Sequence, residues 1–216
     1  MQKNKPTVQE NFWNGEFGKE YTDRNTRSAL EWEKFYIDTW GISKQSINEK
    51  LINQLPKDIK ILEVGSNTGM QLNCLQQMGF KNLYGIELQN YAVEKSKKFT
   101  SGINIIQGSG FDIPFKDDYF DLVCTNGVLI HIHPDDHLKI MSEMVRCSNS
   151  YIMGFEYYSP EIVAVNYRGN SGYLWKADYA KVFTTNFQNL NLVKADYYKY
   201  LNDENVDYAY LLQKQS

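Results

Sequence analysis

From Lys60 onward, short apolar runs alternate with amphipathic stretches. The run Lys60-Ile61-Leu62-Glu63-Val64-Gly65 is nearly continuous in apolar character, as expected of a strand covered on both faces. Met70, Leu72, Leu75 and Met78 then recur about one helical turn apart, so 69–79 is expected to be a helix ending at a glycine. Further strands are predicted over 82–87, 103–108, 120–126 and 150–158. Helices are predicted over 90–100 and 134–146, the second with proline in its first turn, where a missing N–H does no harm. Strands alternating with helices over short connections predict an α/β chain with a parallel sheet. After Tyr158 the pattern turns loop-like, then 179–188 has helical spacing, and 191–200 and 207–214 read as strands around the turn-prone 201–205. So short a connection predicts an antiparallel hairpin. Ahead of the first strand, 28–40 and 46–55 have helical spacing, with Ser28 and Ser46 as candidate N-caps. These helices are expected to pack on the sheet or form a lid over its open edge.

At 216 residues the chain favours one domain. The net charge of −3 offers no broad positive field for a phosphate backbone, which disfavours nucleic acid. No apolar run is long enough to span a membrane, and the first ten residues lack the apolar core of a signal peptide. A cytoplasmic protein is therefore expected. Cys74, Cys124 and Cys147 are odd in number, far apart and without a CxxC pair, which argues against a disulfide framework or a zinc site. No metal is expected. Aromatics make up 14% of the chain and 16 of them are Tyr, so part of the excess is expected to line a polar pocket.

Between the first strand and its helix stands Glu63-Val64-Gly65-Ser66-Asn67-Thr68-Gly69. Glycines at such a turn let backbone approach a ligand at the carboxyl end of a parallel sheet. A dinucleotide fingerprint would need glycine where Asn67 and Met70 stand, and a phosphate-binding P-loop would need Gly-Lys-Ser/Thr where Met70-Gln71-Leu72 follows. What remains is an acid-flanked Gly-x-x-x-Gly turn. The second strand ends at Glu87, about where an acid meets ribose hydroxyls in such sheets. An amino acid at one end of a ligand and a nucleoside at the other would suit Glu63 and Glu87 together.

ILEVGSNTG (61–69) and YGIE (84–87) resemble the class I S-adenosylmethionine-dependent methyltransferases, and the likeness extends over 51–213. It implies an α/β, Rossmann-like fold: a seven-stranded, mostly parallel sheet with a C-terminal antiparallel hairpin and an N-terminal helical lid. One domain is expected over 1–216, with 1–50 as lid and helices and a substrate-loop insertion around 157–179. The resemblance implies that Glu63, Gly65, Ser66, Asn67, Gly69, Met70 and Gln71 hold the methionine end of the cofactor. Glu87 would hold the ribose, Leu88 the adenine face, and Ser109, Gly110 and Phe111 the adenine edge. Asn126, Gly127 and Val128 would approach the transferable methyl. Asn67 stands where many members have glycine, and Ser109 where many have an aspartate. Tyr21 and Arg24 are further candidates for the methionine end.

Phe12 to Gly18, Glu156 to Pro160, Tyr167 to Gly169 and Leu174 to Tyr179 resemble a narrower group, the methyltransferases associated with pseudaminic-type nonulosonic acid biosynthesis. That likeness implies a small amino-sugar acceptor; a monomer or homodimer is expected, and the sequence leaves open which. Candidate catalytic residues are His131, Glu156 and Tyr157, at strand ends or just beyond. Candidate acceptor residues are Trp13, Phe17, Tyr158, Tyr167, Arg168 and Lys176, the last two suited to a carboxylate or phosphate. His133 and His137 are expected at the surface or a helix start. The sequence leaves N- against O-methylation open. It also leaves open another small-molecule acceptor class and a non-catalytic cofactor-binding module, which Asn67 and Ser109 favour.

Overall fold

The computed structural model describes residues 5–215. Seven strands form one sheet: β1 (Lys60–Val64), β2 (Asn82–Glu87), β3 (Asn104–Gln107), β4 (Phe120–Asn126), β5 (Ser148–Tyr157), β8 (Leu190–Lys199) and β9 (Val206–Lys214). Their order is β3-β2-β1-β4-β5-β9-β8. β1 to β5 run parallel, while β9 is antiparallel to both β5 and β8. The alternation of side chains along each strand divides the core into two layers. Ile61, Leu122 and Leu211 face one layer, with Ile47 and Leu51 of α4 (Lys44–Ile52) and Leu72 and Leu75 of α5 (Met70–Gln77). Leu62, Val123 and Leu212 face the other, with Met141 and Met144 of α7 (His137–Cys147) and Phe183 of α8 (Tyr179–Asn186).

The N-terminal region forms α1 (Val8–Asn14), α2 (Glu16–Asn25) and α3 (Ala29–Trp40) ahead of α4. Ser28 caps α3 through a capping box with Glu31. The expected cap at Ser46 lies instead at Ser43, whose hydroxyl accepts from the Ser46 N–H at 3.1 Å. Gly41, left-handed at φ 73°, ends α3 so abruptly that α4 begins three residues later. Helix α6 (Asn90–Ser96) is shorter than expected, and 97–100 continue only as turns. The segment expected to be loop-like contains a ribbon of β6 (Val163–Ala164) and β7 (Trp175–Lys176). The predicted helix over 134–146 divides into a 3-10 turn, Pro134–Asp136, and α7. His137, expected at the surface or a helix start, begins α7 and is buried, its Nε2 3.1 Å from the Ile132 carbonyl. No described helix is long and apolar enough to cross a membrane.

Strand direction decides what gathers at one sheet edge. The parallel strands deliver Glu63, Glu87, Asn126 and Tyr157 at their carboxyl ends, and β8 runs the same way toward Tyr200. Because β9 is reversed, its beginning lies at that same edge and brings Asp207 opposite Tyr157.

Candidate active site

A cavity of about 550 Å³ opens at this edge, the size and place expected of a ligand site in an open α/β sheet. Its first half is built on the turn after β1. Gly65 is left-handed at φ 73°, and a Cβ there would meet Val128 Cγ2 at 2.7 Å. Gly65 N–H and Ser66 N–H both donate to the Ile86 carbonyl, at 2.9 and 3.0 Å, which bends the chain away from the strand. Asn67 takes φ 46°, a conformation asparagine tolerates better than most side chains. Its Nδ2 donates to Thr22 Oγ1 of α2 at 3.1 Å.

Glu87 is held rigidly: Asn67 N–H and Gln89 N–H donate to separate carboxylate oxygens, each at 2.8 Å. Burial pushes its carboxyl up, and these backbone donors offset part of that. Each oxygen keeps a lone pair for a ligand hydroxyl. Glu63 is 3% exposed, and its Oε2 has no partner in the protein. Desolvation pushes this carboxyl well up, with Lys44 opposing and Glu87 adding to the shift. A buried carboxyl that lines a cavity and has an oxygen without a partner fits a ligand ammonium. Along the same wall, Ser109 Oγ donates to Glu10 Oε1 of α1 at 2.5 Å and accepts from Phe111 N–H at 3.1 Å.

The N-terminal helices form the opposite wall. Gln89 Nε2 donates to the Trp13 and Gly15 carbonyls, both at 3.1 Å, and Trp13, Tyr21 and Thr22 line the cavity. Trp13 packs against His131 at 4.4 Å between ring centroids. His131 Nδ1 lies 2.8 Å from the Tyr173 carbonyl, which can only accept. Nδ1 therefore carries the proton and Nε2 keeps its lone pair. Burial lowers the His131 pKa to about 4, against the smaller opposing effect of that hydrogen bond.

This burial carries a prediction. A histidine held neutral costs stability when acid protonates the unfolded chain first, so its contribution is complete above pH 6.5 and is lost as pH falls toward about 4. About 3 kcal/mol is expected over that window. Buried Glu156 and Asp207, both raised to about 7, act in the opposite sense, so the effect is read as a difference. Urea unfolding of wild type and His131→Gln across this range should show the variant losing less stability on acidification; parallel curves would refute the assignment.

The other expected residues divide by place. Met70, Gln71, Leu88, Gly110, Phe111, Asn126, Gly127, Val128, Tyr157, Tyr167 and Arg168 line the cavity, although the Gln71 amide is spent in a reciprocal pair with Asn48. Gly69 caps α5 behind the turn, where an added Cβ would meet Ile105 and Thr100. Glu156 lies behind the wall, its oxygens accepting from Val128 N–H and Ile130 N–H at 3.2 and 3.4 Å. Arg24 pairs with Glu20 and sits over Phe17, which packs between Phe12 and Trp13. Tyr158 packs on Tyr197 and Tyr208, and Lys176 Nζ binds Asn205 over the Tyr157 ring. None of these last five side chains lines the cavity.

Several lining residues escaped the sequence reading: Glu10, Gln89, Trp32, Tyr36, Trp40, Tyr200 and Asp207. The aromatic stripe Trp32, Tyr36 and Trp40 has helical spacing that signals a buried face of α3, but not a cavity. Tyr200, just beyond the end of β8, lines the site.

Residues 62–150 match the family model described as a methyltransferase domain. A search of curated protein sequences gives no match. Among solved structures, a protein of Pyrococcus horikoshii OT3 is similar at TM-score 0.67 and 14% identity, covering 90% of this chain and 95% of that one. Magnesium protoporphyrin IX methyltransferase of Synechocystis PCC 6803, solved with bound S-adenosylmethionine, is similar at TM-score 0.68 and 11% identity, covering 99% and 100%. A Burkholderia thailandensis 1,6-didemethyltoxoflavin-N1-methyltransferase, solved with its substrate and S-adenosylhomocysteine, is similar at TM-score 0.68 and 11% identity, covering 99% and 94%. The chain therefore has the α/β Rossmann-like methyltransferase fold, and its domain match makes S-adenosylmethionine its cofactor.

Proposed function

We propose that this S-adenosylmethionine-dependent methyltransferase acts on a nitrogen or oxygen of a small amino-sugar molecule of the nonulosonic-acid type, with 5–50 closing the site as a lid. The observation that carries the reading is continuity. One cavity runs from Glu87 past Gly65 and Asn126 to Tyr157, Tyr200 and Asp207. When bound, S-adenosylmethionine supplies an electrophilic methyl group.

The chain's own residues do the rest. Glu87 accepts the ribose hydroxyls, and the Glu63 carboxyl holds the ammonium. Leu88 and Phe111 flank the adenine, with Ser109 at its edge. Asn126 is fixed by Lys44 Nζ at 2.7 Å and Tyr36 OH at 3.3 Å, which holds the centre of the cavity rigid. Alignment of nucleophile and methyl is the main source of rate, about 7–11 kcal/mol in favourable cases. The free Nε2 of His131 is the group placed to accept a proton, with the Tyr157 hydroxyl and the Arg168 guanidinium on the acceptor's side. Trp13 and the rings around it exclude water.

The two departures from the family pattern support a lid. Asn67 holds α2 through Thr22, and Ser109 holds α1 through Glu10. These are the residues that favoured a non-catalytic module, and both instead tie the N-terminal helices to the cofactor half.

The test is turnover, followed as S-adenosylhomocysteine release, with a panel of amino sugars and nonulosonic-acid derivatives beside catechols, carboxylic acids and heteroaromatic amines. Turnover confined to the sugars is expected. Turnover of another class would replace the acceptor assignment, and tight S-adenosylmethionine binding with no turnover would favour the non-catalytic module.

A further inference from the structure

The far end of the cavity holds a carboxylate that the methyl-transfer reading leaves unused. Asp207 is 4% exposed and lines the cavity as the second residue of β9. Rings surround it: Trp40 packs on Tyr36 at 4.6 Å, on Phe155 at 5.5 Å and on Tyr200 at 4.9 Å, and Tyr200 lies 5.6 Å from Tyr157. An acid in such a setting loses hydration that aromatic edges and faces do not restore. The Tyr200 hydroxyl is turned toward the carboxylate, as is the Trp40 indole N–H, which closes no hydrogen bond. The cation that acts on it is Lys44, whose Nζ donates to Asn126 Oδ1 at 2.7 Å and sits over the Phe155 ring at 4.1 Å, beyond salt-bridge distance of Asp207. Asp207 therefore has no ion-pair partner among the described residues. Aromatic faces and a buried carboxylate together select a cation.

We propose that this end of the cavity is a cation subsite, in which Asp207 pairs with a protonated amine or amidinium of the acceptor while Trp40, Tyr36, Phe155, Tyr157 and Tyr200 wall it. This rests on the methyltransferase reading and narrows its acceptor to molecules bearing a basic nitrogen. The subsite binds the ammonium and carries out no chemistry, so the methylated atom is a different one. A protonated nitrogen has no lone pair to attack with.

Calorimetry on the full chain tests this, with cyclohexylamine and its neutral counterpart cyclohexanol as probes, in the presence of S-adenosylhomocysteine and without it. At about pH 8 the wild type should take the amine at least about tenfold more tightly than the alcohol. Asp207→Asn should bind the two alike while keeping its melting temperature and its S-adenosylhomocysteine affinity. Equal binding by the wild type, no binding of the amine, or a preference retained in Asp207→Asn overturns the proposal. If Asp207→Asn does not fold, a pH series on the wild type decides. Burial raises Asp207 to about 7, with Tyr200, Trp40 and Lys44 opposing the shift and Glu156, behind the wall, adding to it. The amine preference should fade as pH is lowered through that value, and a flat series overturns the proposal. Failure of S-adenosylhomocysteine itself to bind strikes at the methyltransferase reading, and the amine preference is then read on the cofactor-free protein.

Discussion

Glu87→Ala is expected to weaken S-adenosylmethionine and S-adenosylhomocysteine by about 100-fold or more. Hydrogen bonds to a charged group contribute roughly 1.5–3 kcal/mol each, and a ribose diol offers two. The substitution also leaves the Asn67 and Gln89 N–H groups without the acceptor that now holds them at 2.8 Å, so the turn after β1 loosens as well. Glu87→Gln separates the two effects, because a carboxamide still offers one oxygen. It should fall between wild type and alanine. Lys176→Ala serves as the comparison, since its ammonium binds Asn205 outside the cavity. Calorimetry that found equal losses at positions 87 and 176 would count against the ribose assignment.

Gly18→Ala should open the N-terminal wall. A Cβ at this position would lie 1.8 Å from the Trp13 carbonyl oxygen and 2.8 Å from Gln89 Nε2. The first neighbour is backbone and cannot swing aside, so α1 must shift against α2. Strain of this kind costs about 1–3 kcal/mol or more. The same carbonyl accepts from Gln89 Nε2, so the shift also breaks the link to the cofactor half. Cofactor affinity is expected to drop by about tenfold or more. Limited proteolysis should cut within residues 5–25 faster than in the wild type, while the α4-to-β9 core keeps its melting temperature. Unchanged affinity and unchanged cleavage would mean that α1 and α2 do not cover a bound cofactor.

The parallel core was legible because each of its strands carries its own signal. β2 and β4 have the predicted bounds, since an apolar run flanked by turn residues at both ends leaves little freedom. The terminal hairpin was legible for the same reason. The cap of α4 was misplaced by three residues because Ser43 and Ser46 are both chemically able to cap, and the left-handed Gly41 decided between them. The ribbon of β6 and β7 went unseen because its strands are two residues long, too short for any alternation to show.

In the site, the acid-flanked glycine turn and Glu87 were readable because backbone geometry at a βα junction constrains residue identity locally. Glu156 shows the limit of that reasoning. Its position at a strand end pointed to chemistry, and only the three-dimensional path of residues 128–130 turns its oxygens onto backbone N–H groups. Asp207 shows the converse: within a Tyr-rich hairpin nothing local distinguishes it from a solvated turn acid.

By itself, then, the sequence determined the α/β class, the strand succession, the hairpin and the glycine turn after the first strand, all of which follow from periodicity and φ/ψ requirements within a few residues. Tertiary structure alone decided which side chains meet. The reversal of β9 carries Asp207 to the edge where the parallel strands end, α3 lays Tyr36 and Trp40 beside it, and Glu10 crosses 99 residues of sequence to reach Ser109. Such contacts depend on strand order and helix packing, which no local pattern encodes.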